Sequence, residues 1–242
     1  MISWKQKNLG HWDFTIKPIN KEMDTINFLG FHVQCASVLI DLLSESQSKS
    51  RSDFRIQFFH NLPINSTENP IQDLGSHRFI GTENCTQDDL SFPTFAGIMS
   101  GKATEAIVQD LLHVPHFGID KVESFICASA TVAQSTTIGH ATWIHPNVTI
   151  SSDCTIGNGV IVGRNASIGH HCKLGDFVKI NPGVHIASNT IIESHSELGI
   201  GASVINGIRI GKRSFVAAGA AVIRDIPADV LVAGVPANIK SK

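Results

Sequence analysis

What the 242-residue chain lacks narrows its class before any motif is read. No uninterrupted apolar run reaches the 18 or so residues of a transmembrane helix, and the N-terminus shows no charged-then-apolar leader pattern, so the sequence predicts a cytoplasmic protein without a membrane span. Nothing is basic enough for nucleic acid: the formal charge is −2 and charged residues make up 17%. The five cysteines (Cys35, Cys85, Cys127, Cys154 and Cys172) form no CxxC pair, and no Ser/His/Asp nucleophile signature is present. These absences set aside membrane transport, nucleic-acid binding, CxxC-type metal or redox chemistry and serine hydrolysis.

What is present is a period of six. Every sixth residue from Ile126 to Val222 (Ile126, Val132, Ile138, Ile144, Ile150, Ile156, Val162, Ile168, Leu174, Ile180, Ile186, Ile192, Leu198, Val204, Ile210, Val216, Val222) is aliphatic. Two residues before these anchors stand mostly small side chains, among them Ala130, Thr142, Cys154, Cys172, Ser196 and Ser214. Glycine often follows the anchor, as at Gly139, Gly157, Gly163, Gly169 and Gly175, where a corner with positive φ would suit it. A six-residue period fits neither a helix nor an alternating strand. It fits a solenoid in which each hexad makes one short side and a turn, three sides close a coil, and residues eighteen apart stack. Cys154 and Cys172 are then expected one coil apart as reduced, buried side chains.

Ahead of the hexads, strand-like segments at 26–29, 54–59, 79–80 and 95–98, with helical spacing after Gly30 and over 102–112, predict a small α/β unit. The division expected is an N-terminal extension (1–22), an α/β unit (23–115), the solenoid (116–222) and a tail with turns (223–242). The turn after the first strand, Gly30-Phe31-His32-Val33-Gln34-Cys35, carries one glycine where a dinucleotide-binding turn carries three.

Six of the twelve histidines fall in the solenoid (His140, His145, His170, His171, His185, His195), none at an anchor, so they belong at corners or outer faces. The hexads resemble the left-handed parallel β-helix of the hexapeptide-repeat acyltransferases. Within them, Gly169-His170-His171-Cys172-Lys173-Leu174-Gly175-Asp176-Phe177-Val178-Lys179-Ile180-Asn181-Pro182-Gly183 closely resembles a segment of the transferases that acetylate nucleotide-linked amino sugars or the hydroxyls of sialic acids. The closing Ala233-Gly-Val-Pro-Ala237 is similar to the end motif of the CoA-using members.

That resemblance implies an α/β sugar-nucleotide (Rossmann-like) unit followed by a left-handed β-helix. It implies acetyl-CoA as co-substrate, no catalytic metal, a homotrimer with CoA between neighbouring β-helices, and a role in polysaccharide or glycoconjugate synthesis. The general base falls on His170, and His171 occupies the place where relatives often carry a carboxylate that raises the basicity of the base. CoA contacts fall on Lys179, Gly183, Ile200 and Ala218, and sugar-nucleotide contacts on Gly30, Phe31, His32 and Gln34. A histidine suits the role because its unperturbed pKa of about 6.5 leaves neutral imidazole to take a proton at working pH. Other readings of the same residues are sugar O-acetylation, a zinc site of the γ-carbonic-anhydrase type built on His140 and His145, and a scaffold protein that has lost activity.

Overall fold

The computed structural model describes residues 25–29, 55–60, 77–81, 85–88, 94–96, 101–111, 114–115 and 117–240. Its larger part is a parallel β-helix built by the hexads. Each contributes a two-residue strand ending on its anchor, and each strand pairs in parallel with the strand eighteen residues on, as in Trp143↔Ile161↔Lys179 and Ser167↔His185↔Ser203. Three flat faces result. The first carries the strands at 125–126, 143–144, 161–162, 179–180, 197–198 and 215–216. The second runs from 131–132 to 221–222, and the third from 137–138 to 209–210. All anchors from Ile144 to Val222 are at most 3% exposed and form one continuous core. Only Ile126, Val132 and Ile138, which have no coil beneath them, are partly buried. Each such burial is worth roughly 1.5–3 kcal/mol, which is how two-residue strands hold together as a rod.

The corners correct the sequence expectation about glycine. Positive φ does not fall on the residue after the anchor; it falls three residues after it, at every hexad from Ala141 to Gly219. Asn147, Asp153, Asn165 and Asn189 fill this place beside glycines, since short polar side chains tolerate the left-handed region. His171, Phe177 and Arg213 fill it as well. The glycine after the anchor is required by crowding instead. A Cβ on Gly163 would stand 2.7 Å from the backbone nitrogen of Pro182, and one on Gly169 would stand 2.6 Å from that of Ser188. Gly183, by contrast, has φ +69° and open space above its α-carbon. Gly163→Ala is therefore expected to cost about 1–3 kcal/mol through forced backbone separation, in a thermal melt that would show Gly183→Ala losing no more than the ~1–2 kcal/mol of a left-handed residue. A Gly163→Ala variant that melts no lower than the parent would contradict this account.

The small residues two before the anchors satisfy backbone groups between coils. Thr142 Oγ1 donates to Gly157 O (2.9 Å) and accepts from the Val160 N–H, and Ser196 Oγ donates to Gly211 O (2.7 Å). Cys154 and Cys172 do the same work with thiols, donating to Gly169 O (3.1 Å) and Ala187 O (3.3 Å). Both are buried and free, one coil apart. Burial is the main cause that pushes the Cys172 thiol up to about 11, so it stays protonated at neutral pH.

After Val222 the solenoid continues with a shortened repeat. Ile226 bridges to Ile210, and the strand Leu231–Ala233 pairs with Phe215–Val216, sixteen residues away rather than eighteen. Asn238–Lys240 then folds back antiparallel on Leu231–Ala233 and occupies the upper edge of that sheet. The segment read as tail thus places Ile226, Val232 and Ala237 in the core.

At the other end stands a five-stranded parallel sheet of β1 (Thr25–Leu29), β2 (Arg55–His60), β3 (His77–Gly81), β4 (Thr94–Ala96) and β5 (Val122–Glu123), in the order β3-β2-β1-β4-β5. Among the described residues, the α-helix α1 (Gly101–Asp110) and a 3-10 turn (Ile119–Lys121) lie between β4 and β5. The four strands expected from the sequence coincide with β1 to β4 to within a few residues, while the turn at Gly30 and the helix expected after it lie outside the described residues. β5 leads directly into the first solenoid strand, and above it the outward-pointing Phe125, Trp143 and Ile161 are all buried. The first face is therefore covered over its lower coils.

Candidate functional site

His170 sits on the corner between the second and third faces. Ile168 points into the core, Gly169 permits the tight turn against Ser188, and His170 and His171 then project from the corner before Cys172 turns inward. The backbone holds them there: His171 has φ +58° and donates its N–H to Ser152 O (3.0 Å), and His170 O accepts from the Asn189 N–H (2.9 Å). The two rings stand edge to face with Nδ1 to Nδ1 at 3.0 Å. One coil below, Asp153 Oδ2 is 3.9 Å from His171 Nε2. All three side chains are exposed, so the corner is open to a substrate.

Beside and above this corner runs an open groove of about 420 Å³, lined by Ser167, His185, Ala187, Ser203, Ile205 and Asn206. His185 Nδ1 and Ser167 Oγ are 2.8 Å apart on its floor. The groove's upper lining mixes polar Ser203 and Asn206 with Ile205, which is 46% exposed.

The expected CoA residues lie elsewhere. Gly183, Ile200 and Ala218 stack on the next corner, between the first and second faces, so the second face separates them from His170. That corner presents Ile200 at 62% exposure beside Gly183, Gly201 and Gly219, none of which has any atom within 4 Å of where a Cβ would be. Lys179 lies on the first face, where its Nζ is 3.2 Å from Glu197 Oε1. Glu197 also accepts from Asn181 Nδ2 (2.9 Å), so the lysine charge is already balanced within the sheet. Asp176 caps a third corner, its Oδ1 accepting from the Asn158 N–H (2.8 Å), away from His170. Gly30, Phe31, His32 and Gln34 lie outside the described residues.

The two histidines weighed for zinc do not meet. His140 is exposed on the corner before Trp143, and His145 lies half-buried on the corner after it. Among the described residues no group of three His, Cys, Asp or Glu side chains is placed to hold a metal ion. His145 is half-buried with its Nε2 shut away from solvent: that atom and Trp143 Nε1 have no hydrogen-bond partner, and the rings lie 5.9 Å apart. Burial, helped by the nearby Arg164 charge, holds its pKa below the ordinary 6.5. Below 6.5 the unfolded chain takes up a proton that the folded chain refuses, so stability present at neutral pH is lost as the pH falls through that value. The melting temperature is expected to drop between about pH 7.5 and pH 5.5, and His145→Phe to reduce that drop. An unchanged drop in the variant would remove His145 from the account.

Asp153 and Ser167 were not among the residues expected from the sequence, and His185 was expected only as one of the outward-facing solenoid histidines. The signal was available in the eighteen-residue stacking, since 153 and 171, like 167 and 185, differ by one coil.

Shape and repeat together define a left-handed parallel β-helix of hexapeptide repeats. Residues 135–170 and 165–199 match the family model described as bacterial transferase hexapeptide (six repeats). Over 42 residues the chain is 52% identical to a 2,3,4,5-tetrahydropyridine-2,6-dicarboxylate N-acetyltransferase of Clostridium perfringens, a stretch that is 17% of this chain and only 18% of that relative. A Staphylococcus aureus enzyme of the same name is 48% identical over 42 residues, again 17% and 18% of the two lengths. Among solved structures, the acetyltransferase domain of PglB from Neisseria gonorrhoeae superposes with a TM-score of 0.73 at 24% identity, over 90% of this chain and all of that one (100%). A variant of perosamine N-acetyltransferase from Caulobacter crescentus, in complex with CoA and GDP-perosamine, superposes with a TM-score of 0.71 at 22% identity, over 90% and 97%. At these identities the shared feature is the fold.

No helix among the described residues is long and apolar enough to cross a membrane.

Proposed function

We propose that the protein transfers an acetyl group from acetyl-CoA to the amino group of a nucleotide-linked amino sugar, with His170 as general base. The observation that carries this reading is the open His170 corner, with His170 Nδ1 held 3.0 Å from His171, next to a groove on a fold shared with solved N-acetyltransferases. The co-substrate supplies an activated acyl carbon as a thioester. His170 does the rest at its Nε2, taking the proton that the attacking amine must lose and later returning one to the departing thiolate. No covalent enzyme intermediate is required.

The residues fit such a co-substrate in two ways. The corner of Gly183, Gly201 and Gly219 leaves its backbone bare for an extended chain to lie flat, and Ile200 offers apolar contact. Since that corner and His170 are on opposite sides of the second face, a site using both is shared between copies of the chain, which supports a homotrimer with three interfacial sites. The sugar nucleotide is proposed to bind the α/β unit, whose strand order β3-β2-β1-β4-β5 has a switch point of the kind at which such sheets take ligands. Lys179 is kept as a CoA contact only if phosphate displaces Glu197. A soluble acetyl-CoA pool accords with a cytoplasmic enzyme.

The test is thiol release from acetyl-CoA across UDP-, GDP- and dTDP-linked amino sugars. Product acetylated on nitrogen is expected; release only with a sugar hydroxyl acceptor would favour O-acetylation, and absence of release with either would overturn the proposal.

A further inference from the structure

We infer that Asp153, acting through His171, positions the base, so that a His170–His171–Asp153 relay stands where a single adjacent carboxylate would otherwise serve; the inference rests on the acetyl-transfer reading for its catalytic consequence. The argument is one of proton placement. For His170 to accept a proton on Nε2, its own ring proton must be on Nδ1, and the atom facing that Nδ1 at 3.0 Å is His171 Nδ1. Two ring nitrogens make one hydrogen bond only if one donates and the other accepts. His171 Nδ1 must therefore be bare, which puts the proton of His171 on Nε2. That is the nitrogen turned toward Asp153 Oδ2, 3.9 Å away, close enough for the carboxylate charge to act on the ring without a direct hydrogen bond.

A negative charge favours the N–H on the ring nitrogen nearest to it, so Asp153 biases His171 toward the one tautomer that leaves His170 able to work. When His170 becomes imidazolium, the negative charge is felt through one intervening ring. The solenoid supplies the register: residues 153 and 171 hold equivalent corner positions in stacked coils, both with left-handed backbone (φ +59° and +58°). The Asp153 backbone is itself anchored, donating its N–H to Ser135 Oγ (2.9 Å), which is the equivalent position one coil lower. Asp153 touches no reacting atom; it is a positioning residue.

The experiment combines a tautomer readout with a substitution cycle. In the protein selectively labelled with ¹⁵N-histidine, long-range ¹H–¹⁵N correlation spectra above the histidine titration range are expected to show His171 mainly as the Nε2–H form. Asp153→Asn is expected to shift it toward Nδ1–H. In turnover, Asp153→Asn is expected to lower kcat roughly 10-fold, with KM for acetyl-CoA little changed. His171→Glu places a carboxylate directly against His170, so adding Asp153→Asn in that background is expected to change kcat by less than about twofold. Equal losses from Asp153→Asn in both backgrounds, or an unmoved His171 tautomer, would overturn the relay. A tautomer shift in a protein that releases no thiol with any amine would sustain the relay and sink the proposed reaction instead.

Discussion

His170→Ala is expected to lower kcat by about 10²–10⁴-fold, the usual cost of removing a general base, while acetyl-CoA affinity stays within about twofold. The separation of the two effects follows from the geometry. His170 projects from the corner between the second and third faces, whereas the proposed co-substrate contacts at Gly183, Ile200 and Ala218 are on the corner before the second face. The substitution removes an exposed side chain whose only hydrogen bond described is to His171, so the fold loses little. His171→Ala is expected to be milder in steady-state kinetics, because it removes an orienting bond and leaves the base. A His170→Ala variant that kept most of its kcat while His171→Ala lost it would show that the base is His171, with Asp153 as its direct partner at 3.9 Å.

Much of this was legible in the chain because a solenoid is nearly one-dimensional. The anchors from Ile144 to Val222 are buried as the period of six requires, and the strands pair at eighteen as three-sided coils require. What failed was the reading of cause at the corners. Glycine after the anchor is conspicuous and suggested positive φ, yet it answers to a neighbouring backbone within 3 Å of any Cβ. The true left-handed place is occupied by Asn, Asp, Gly, His, Phe, Ala and Arg, a mixture with no single signature until residues eighteen apart are compared. The same spacing hid Asp153: along the chain it is eighteen residues away from His171, and in space the two side chains face each other. The shortened last repeat was hidden as well, since its sixteen-residue spacing breaks the rhythm that made the others visible. The resemblance that points to His170 and to Gly183, Ile200 and Ala218 does not say on which corner each falls; only the coiled chain separates them.

That separation yields the second large effect. Ile200 is 62% exposed on a corner with bare glycines at 183, 201 and 219, and its backbone oxygen is engaged by the Gly219 N–H (2.8 Å). Ile200→Asp therefore changes a side chain that contributes little to the solenoid core, and its melting temperature measured on dilute protein is expected to stay within about 4 °C of the parent. If this corner meets the His170 corner of another copy, however, the new carboxylate must leave water at each interface, at a cost of several kcal/mol per ion. Light scattering at micromolar concentration is then expected to show one chain for the variant and, on the proposed assembly, three for the parent. Since each 1.4 kcal/mol is a factor of ten in affinity, kcat/KM for acetyl-CoA is expected to fall by about 100-fold or more. A variant that remains trimeric and active would move the interface off this corner. A variant that becomes monomeric yet keeps its kcat/KM would mean that one chain holds acetyl-CoA alone, across the second face, and that His170 is reached from within its own subunit.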